Sequence, residues 1–203
     1  MSIVRSVFLL SPASTSGQRA RMLLSPRASF DLAHRIRSDP GVPIGEVFSF
    51  LSGLYFRGKL AYARRFATSP AAIQVITSDR GMVSPDRSVT IDDLLTMATS
   101  AIDAANPAYR SRLAEDAGRL AASLEHGDRV ILLGSIATGK YSDVLRESLA
   151  DRLVFPAEFV GRGDLSRGGL LLRAAVAGAE LDYVPMLDGE RRGKRPPKLG
   201  SRE

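Results

Sequence analysis

Arg129-Val-Ile-Leu-Leu-Gly-Ser-Ile-Ala-Thr-Gly-Lys-Tyr141 is the stretch that decides the fold. Arg129 to Leu133 is a short aliphatic and β-branched run, the signature of a buried strand. It is entered through His126-Gly127-Asp128, which closes a helix opened by Asn106-Pro107 and running to about Glu125. It leaves through a glycine-bounded loop into a second helical stretch, Ser142 to Leu153. Helix, strand, loop and helix in that order form the repeating unit of an α/β domain with a parallel sheet.

The loop spells G-x-x-x-x-G-K from Gly134 to Lys140, after a strand and before a helix, the setting of a phosphate loop. Tyr141 stands where a Ser or Thr would touch magnesium, and Asp182 is the only later acidic strand end on offer. Two readings stand side by side. One is a nucleotide triphosphate loop. The other is a looser grip on phosphate or carboxylate by Lys140 and the backbone around Gly134, Ser135 and Tyr141.

Working outward, the same unit recurs. Ile3 to Leu10 reads as a strand that empties into Ser11-Pro-Ala-Ser-Thr-Ser-Gly17 and a helix from Gln18 to Leu24. Ligands of open α/β sheets collect at such carboxyl ends, which makes Ser11 and Ser14 candidate contacts. A plain turn with Ser16 as helix cap is the other reading. Ala72 to Thr77 is the next strand, followed by a long polar loop, Ser78 to Asp86, that carries Asp79 and Arg80. Thr90-Ile-Asp-Asp93 caps a helix running to about Asp103. Val154 to Val160 and Glu180 to Met186 complete the strands. The expectation is one α/β domain, residues 1–189, with a mainly parallel sheet flanked by helices. Its strands lie near 3–10, 72–77, 129–133, 154–160 and 180–186. The loops at 11–17, 77–86, 134–141 and 161–169 are expected on one edge of that sheet, around one cleft.

Two further stretches bear on chemistry. Gly161 to Arg173 packs three arginines, four glycines, an aspartate and a serine into thirteen residues before an apolar helix, Leu170 to Ala177. Arginine forks and helix-start N–H groups both face negative charge, so Arg162, Ser166 and Arg167 are candidate phosphate contacts. Ile44 to Phe66 interleaves Phe48, Phe50, Tyr55, Phe56, Tyr62 and Phe66 with Arg57, Lys59, Arg64 and Arg65. Tyr55 or Phe56 stacking a base while Arg57 meets phosphate is one reading. A helix–Gly–helix core element whose cations snorkel to solvent is the other.

Composition limits the chemistry. The 203 residues carry 28 Lys+Arg against 22 Asp+Glu, net +6, with a pI near 10.0. That is the charge of a nucleic-acid or phosphate-ligand binder, or of a genome that writes arginine for lysine. Cysteine is absent, which excludes disulfides, thiolate zinc sites and a cysteine nucleophile. The two histidines, His34 and His126, are far apart and read as structural. No metal ligand set and no cofactor is expected. No run approaches the ~18–20 apolar residues of a membrane span. The N-terminus reads as a first strand, so a cytoplasmic protein with no membrane contact is expected. Residues 190–203 hold six basic residues without apolar periodicity and read as a loose basic tail.

Several of these pieces fall in an order that resembles the YaaA-like family, that of the peroxide-stress protein YaaA and its smaller relatives. They are Leu10-Ser-Pro-Ala-Ser14, Phe50-Leu-Ser-Gly-Leu-Tyr-Phe-Arg-Gly58 and Ile76-Thr-Ser-Asp-Arg-Gly-Met-Val-Ser-Pro-Asp86, then Val130-Ile-Leu-Leu-Gly-Ser135 with Tyr141, and Arg162-Gly-Asp-Leu-Ser-Arg-Gly-Gly169. Ser14 departs from the lysine that the family's first loop tends to carry. The resemblance implies an α/β fold with a cleft and, by analogy, DNA binding linked to oxidative stress.

Three functions therefore enter the comparison with structure. The first is a DNA-binding or nucleotide-binding protein with Arg162, Arg167, Lys140 and Arg80 on phosphates. The second is an enzyme cleaving a glycosidic or phosphate bond of a nucleotide or nucleoside, with Asp79 and Asp164 as acid and base. Each aspartate also reads as a simple arginine partner. The third is an interaction domain whose basic tail alone binds.

Overall fold

Every residue of the strand Ser6–Leu10 is buried, as a strand covered on both faces requires. The computed structural model describes residues 4–186 together with Gly193, Lys194, Pro196, Pro197 and Leu199. In chain order the elements are β1 (Ser6–Leu10), α1 (Gln18–Leu24), α2 (Asp31–Arg35), β2 (Val42–Pro43), α3 (Ile44–Ser52), α4 (Leu54–Phe66), β3 (Ile73–Ile76) and β4 (Met82–Val83). They continue with β5 (Ser88–Val89), α5 (Ile91–Thr99), α6 (Pro107–Ser123), β6 (Arg129–Leu133), α7 (Ser142–Leu149), β7 (Leu153–Pro156), α8 (Asp164–Ala177) and β8 (Tyr183–Pro185).

Six strands form one sheet in the order β4-β3-β1-β6-β7-β8. The inner four are parallel, with Val7 opposite Val130, Phe8 opposite both Ile73 and Ile131, and Ile131 opposite Val154. Both edges turn antiparallel: β4 folds back on β3 and β8 on β7. β2 and β5 make a separate two-stranded ladder. This is a mostly parallel α/β sheet, as the sequence pattern predicts. None of the described helices is long and apolar enough to cross a membrane.

Several boundaries differ from the sequence reading; the helix expected to reach Leu153, for one, ends at Leu149, and Leu153 opens β7. The strand expected to Val160 stops at Pro156, and a 3-10 turn takes Ala157–Phe159; proline lacks the N–H that a ladder needs. The polar loop after β3 contains β4, because Gly81, at φ +67°, lets the chain reverse while Thr77 N and Oγ1 both donate to its carbonyl. The arginine–glycine loop ends at Gly163, so Asp164, Ser166 and Arg167 belong to the first turns of α8. The expected basic tail falls mostly outside the described residues.

The chain leaves β1 toward β3 on one side and leaves β6 toward β7 on the other. β1 and β6 are neighbours, so the direction of winding reverses between them. A crevice opens outside the carboxyl ends of two such strands. With right-handed crossovers the two windings cover opposite faces of the sheet. Accordingly α4 packs on α8, and α6 on α7.

Candidate ligand cleft

β1, β3, β6 and β7 are parallel, so the loops that follow them leave from one edge, as expected. Two of these loops flank the reversal point and wall a groove of about 610 Å3. Pro12 to Ser16 form one wall; Ser135, Thr138, Lys140 and Tyr141 form the other, and the end of α5 closes it. The loops touch at their roots. A Cβ on Gly134 would stand 2.7 Å from Ser11 Cβ and 3.1 Å from the Tyr141 hydroxyl, so only glycine fits there.

Behind the groove lies a buried polar cluster. Lys59 is 1% exposed. Its Nζ donates to the Ser11 carbonyl at 2.5 Å and lies 2.9 Å from Ser11 Oγ. The same nitrogen sits 4.5 Å from the Tyr55 ring centre and 4.8 Å from that of Phe56. Burial pulls the Lys59 amine down to about 7, and the nearby charge of Asp164 works against that fall. Ser11 and Tyr141 are buried as well. The Tyr141 hydroxyl adjoins Ser11 and accepts from Ser135 N at 2.7 Å; burial raises its phenol.

Arg167 forms the cluster's other cationic corner. Its guanidinium donates through Nε and Nη2 to Phe159 O and through Nη1 to Gly134 O at 3.5 Å, above the Phe159 ring. It therefore tethers the root of the β6 loop to the turn before α8. Tyr55 Oη is buried beside Arg167, and among the described residues no donor or acceptor meets it in hydrogen-bond geometry. Burial drives that phenol well above its ordinary range.

Close helix packing assembles the cluster. A Cβ on Gly58 would lie 2.5 Å from Gly168 O, and one on Gly168 would lie 2.7 Å from Leu54 O. Backbone meets backbone where α4 crosses α8, which brings Tyr55 and Lys59 beside Arg167.

The residues expected from sequence divide into groups. Ser14, Ser135, Lys140 and Tyr141 line the groove; Ser11, Gly134, Tyr55 and Arg167 lie directly behind it. Asp164 is exposed at the start of α8, close enough to shift Lys59 and Tyr55. Arg162 donates to Ser166 Oγ at 3.2 Å and to Pro197 O at 3.4 Å, and both line a separate hollow beneath the chain at Pro196 and Pro197. Arg57 is exposed on α4. Tyr55 and Phe56 point into the core, so the aromatic stretch is the helix–Gly–helix element and offers no base platform there. Arg80 bonds both Asp79 and Asp93 and so ties the β3–β4 turn to the capped start of α5. Asp79 is thereby an arginine partner, and among the described residues its buried Oδ1 has no partner. Among the described residues no three His, Asp or Glu side chains stand together as metal ligands.

Lys59 is the residue that sequence reasoning passed over as one cation in a basic, aromatic run. The signal was its helical position. Tyr55 at i−4 and Tyr62 at i+3 share its face and are buried, whereas Arg57, Arg64 and Arg65 fall on the outer face.

Comparison with protein-family models, with curated proteins and with solved structures finds no match.

Proposed function

We propose that the cleft at the reversal point binds DNA or a nucleotide-type anion, as the resemblance to the YaaA-like proteins implies. One observation carries this reading. Arg167 is a buried guanidinium with five N–H donors, and its hydrogen bonds go to two backbone carbonyls rather than to a carboxylate. A buried charge is ordinarily paired. The unspent donors of the planar Arg167 guanidinium and its charge suit bidentate contact with an anion such as phosphate. Lys140, exposed on the rim of the groove, supplies a solvent-facing cation.

The test is fluorescence anisotropy with labelled single-stranded and duplex DNA at low and near-physiological salt, with AMP as competitor. The expected result is binding that weakens steeply with salt. Lys140→Ala, which is exposed and leaves the core alone, should weaken it several-fold, and Arg167→Met, checked for folding by circular dichroism, by more. Absence of binding at low salt would sink the proposal. So would binding that ignores both substitutions and disappears when residues 190–203 are removed.

A further inference from the structure

We propose that Ser11 is a nucleophile activated by Lys59, and that the cleft carries out acyl transfer from an ester or amide substrate. This inference does not rest on the anion reading. Its basis is the pairing of a serine hydroxyl with a buried lysine amine at 2.9 Å, behind the wall of the groove at the sheet's reversal point.

Lys59 Nζ meets two acceptors, both on Ser11, and faces the rings of Tyr55 and Phe56. Burial favours the neutral amine, the form in which one N–H goes to the Ser11 carbonyl and the nitrogen lone pair accepts the Ser11 hydroxyl proton. That is the arrangement of a base poised on a nucleophile, with a lysine in the place more often held by histidine. Lys59 and Ser11 are both buried. Pro12, Ala13 and Tyr141 continue from Ser11 into the groove. Two phenols complete the surroundings. The Tyr141 hydroxyl adjoins Ser11 on the groove side, and among the described residues Tyr55 Oη is a donor left without an acceptor.

The step balances within these groups. Ser11 Oγ attacks the substrate carbonyl carbon as its proton passes to Lys59 Nζ. The Oγ–C bond forms, and the tetrahedral oxyanion collapses with loss of the alcohol or amine, which takes the proton from Lys59. Water then attacks the acyl-serine with Lys59 again as base, releasing the acid and restoring Ser11. No oxidant, reductant or metal enters the balance.

The experiment is covalent labelling with an alkyl fluorophosphonate, read by intact mass and peptide mapping. The expected result is one adduct, on Ser11. Its formation rate should rise with pH through a midpoint near 7 and then level off, because the neutral amine is the active form. Lys59→Met should slow labelling by about 100-fold, and Ser11→Ala should abolish it. Because the pH profile is measured on the unmodified protein, it decides the question even if Lys59→Met fails to fold. The proposal is overturned by the absence of an adduct on folded protein at pH 8, by labelling of a different residue, or by a Ser11 labelling rate that is flat between pH 6 and 9.

Discussion

At the scale of single residues, the cluster turns on a lysine that the fold keeps where water does not reach. Removing an ammonium from water is expensive unless it is paired, and the amine responds by giving up its proton more readily. Because the Lys59 amine falls to about 7 in the folded chain from 10.5, the unfolded chain holds a proton between those values that the folded chain lacks. Stability contributed at this position therefore rises with pH across that window, by up to about 1.4 kcal/mol per pH unit. Lys59→Met removes the term. The free-energy gap between wild type and Lys59→Met, from urea unfolding at pH 6.5 and pH 9, should shift in favour of the wild type at the higher pH. An unchanged gap would mean that Lys59 keeps its proton throughout. The sequence named most of this neighbourhood, including Ser11, Tyr55, Gly134, Tyr141 and Arg167. It missed Lys59 because a lysine beside Arg57 reads as another solvated charge unless its helical face is followed. It overrated Arg80 because the carboxylate that engages it most closely, Asp93, belongs to a helix cap thirteen residues away.

At the scale of elements, α4 and α8 hold the cleft together through two glycines. Gly168→Ala would put a methyl group 2.7 Å from Leu54 O and from Tyr55 Cα, contacts that only a backbone shift relieves. The expected cost is about 1–3 kcal/mol of unfolding free energy, accompanied by slower labelling of Ser11 and weaker ligand binding as Tyr55 and Lys59 move away from Arg167. Circular dichroism melts set beside the exposed control Gly163→Ala, where a Cβ meets nothing within 4 Å, isolate the packing term. Equal melting temperatures for the two variants would show that α4 and α8 are not locked at this crossing. The long elements were legible because their signals are local. Asn106-Pro107 and the Thr90–Asp93 box start helices as their chemistry dictates. β4 was hidden because two residues cannot show an alternation. The start of α8 was hidden because Gly168 and Gly169 look like loop residues until a partner helix is known to need their lack of a side chain.

At the scale of the molecule, function follows from the order of strands. Winding outward from β1 in one direction and from β6 in the other leaves Ser11 and Gly134 side by side at the inner boundary of the sheet where the connections diverge. The sequence indicated that four strand-end loops share an edge, since strands alternating with helices imply a parallel sheet. It could not say which two loops would be neighbours, because strand order depends on long-range packing rather than on any one segment. With the order known, the groove, the buried amine and the buried guanidinium coincide, and two chemistries meet there: Arg167 and Lys140 for an anion, Ser11 and Lys59 for an acyl group. The most direct test of the claim that this crevice is the ligand site is a heteronuclear NMR titration with AMP, following backbone amides. The account predicts shifts concentrated in residues 11–16, 134–141 and 163–167. Shifts confined instead to the cavity at the other end of β1, around Arg5, Asp116 and Arg119, would contradict it, as would a spectrum unchanged at millimolar nucleotide.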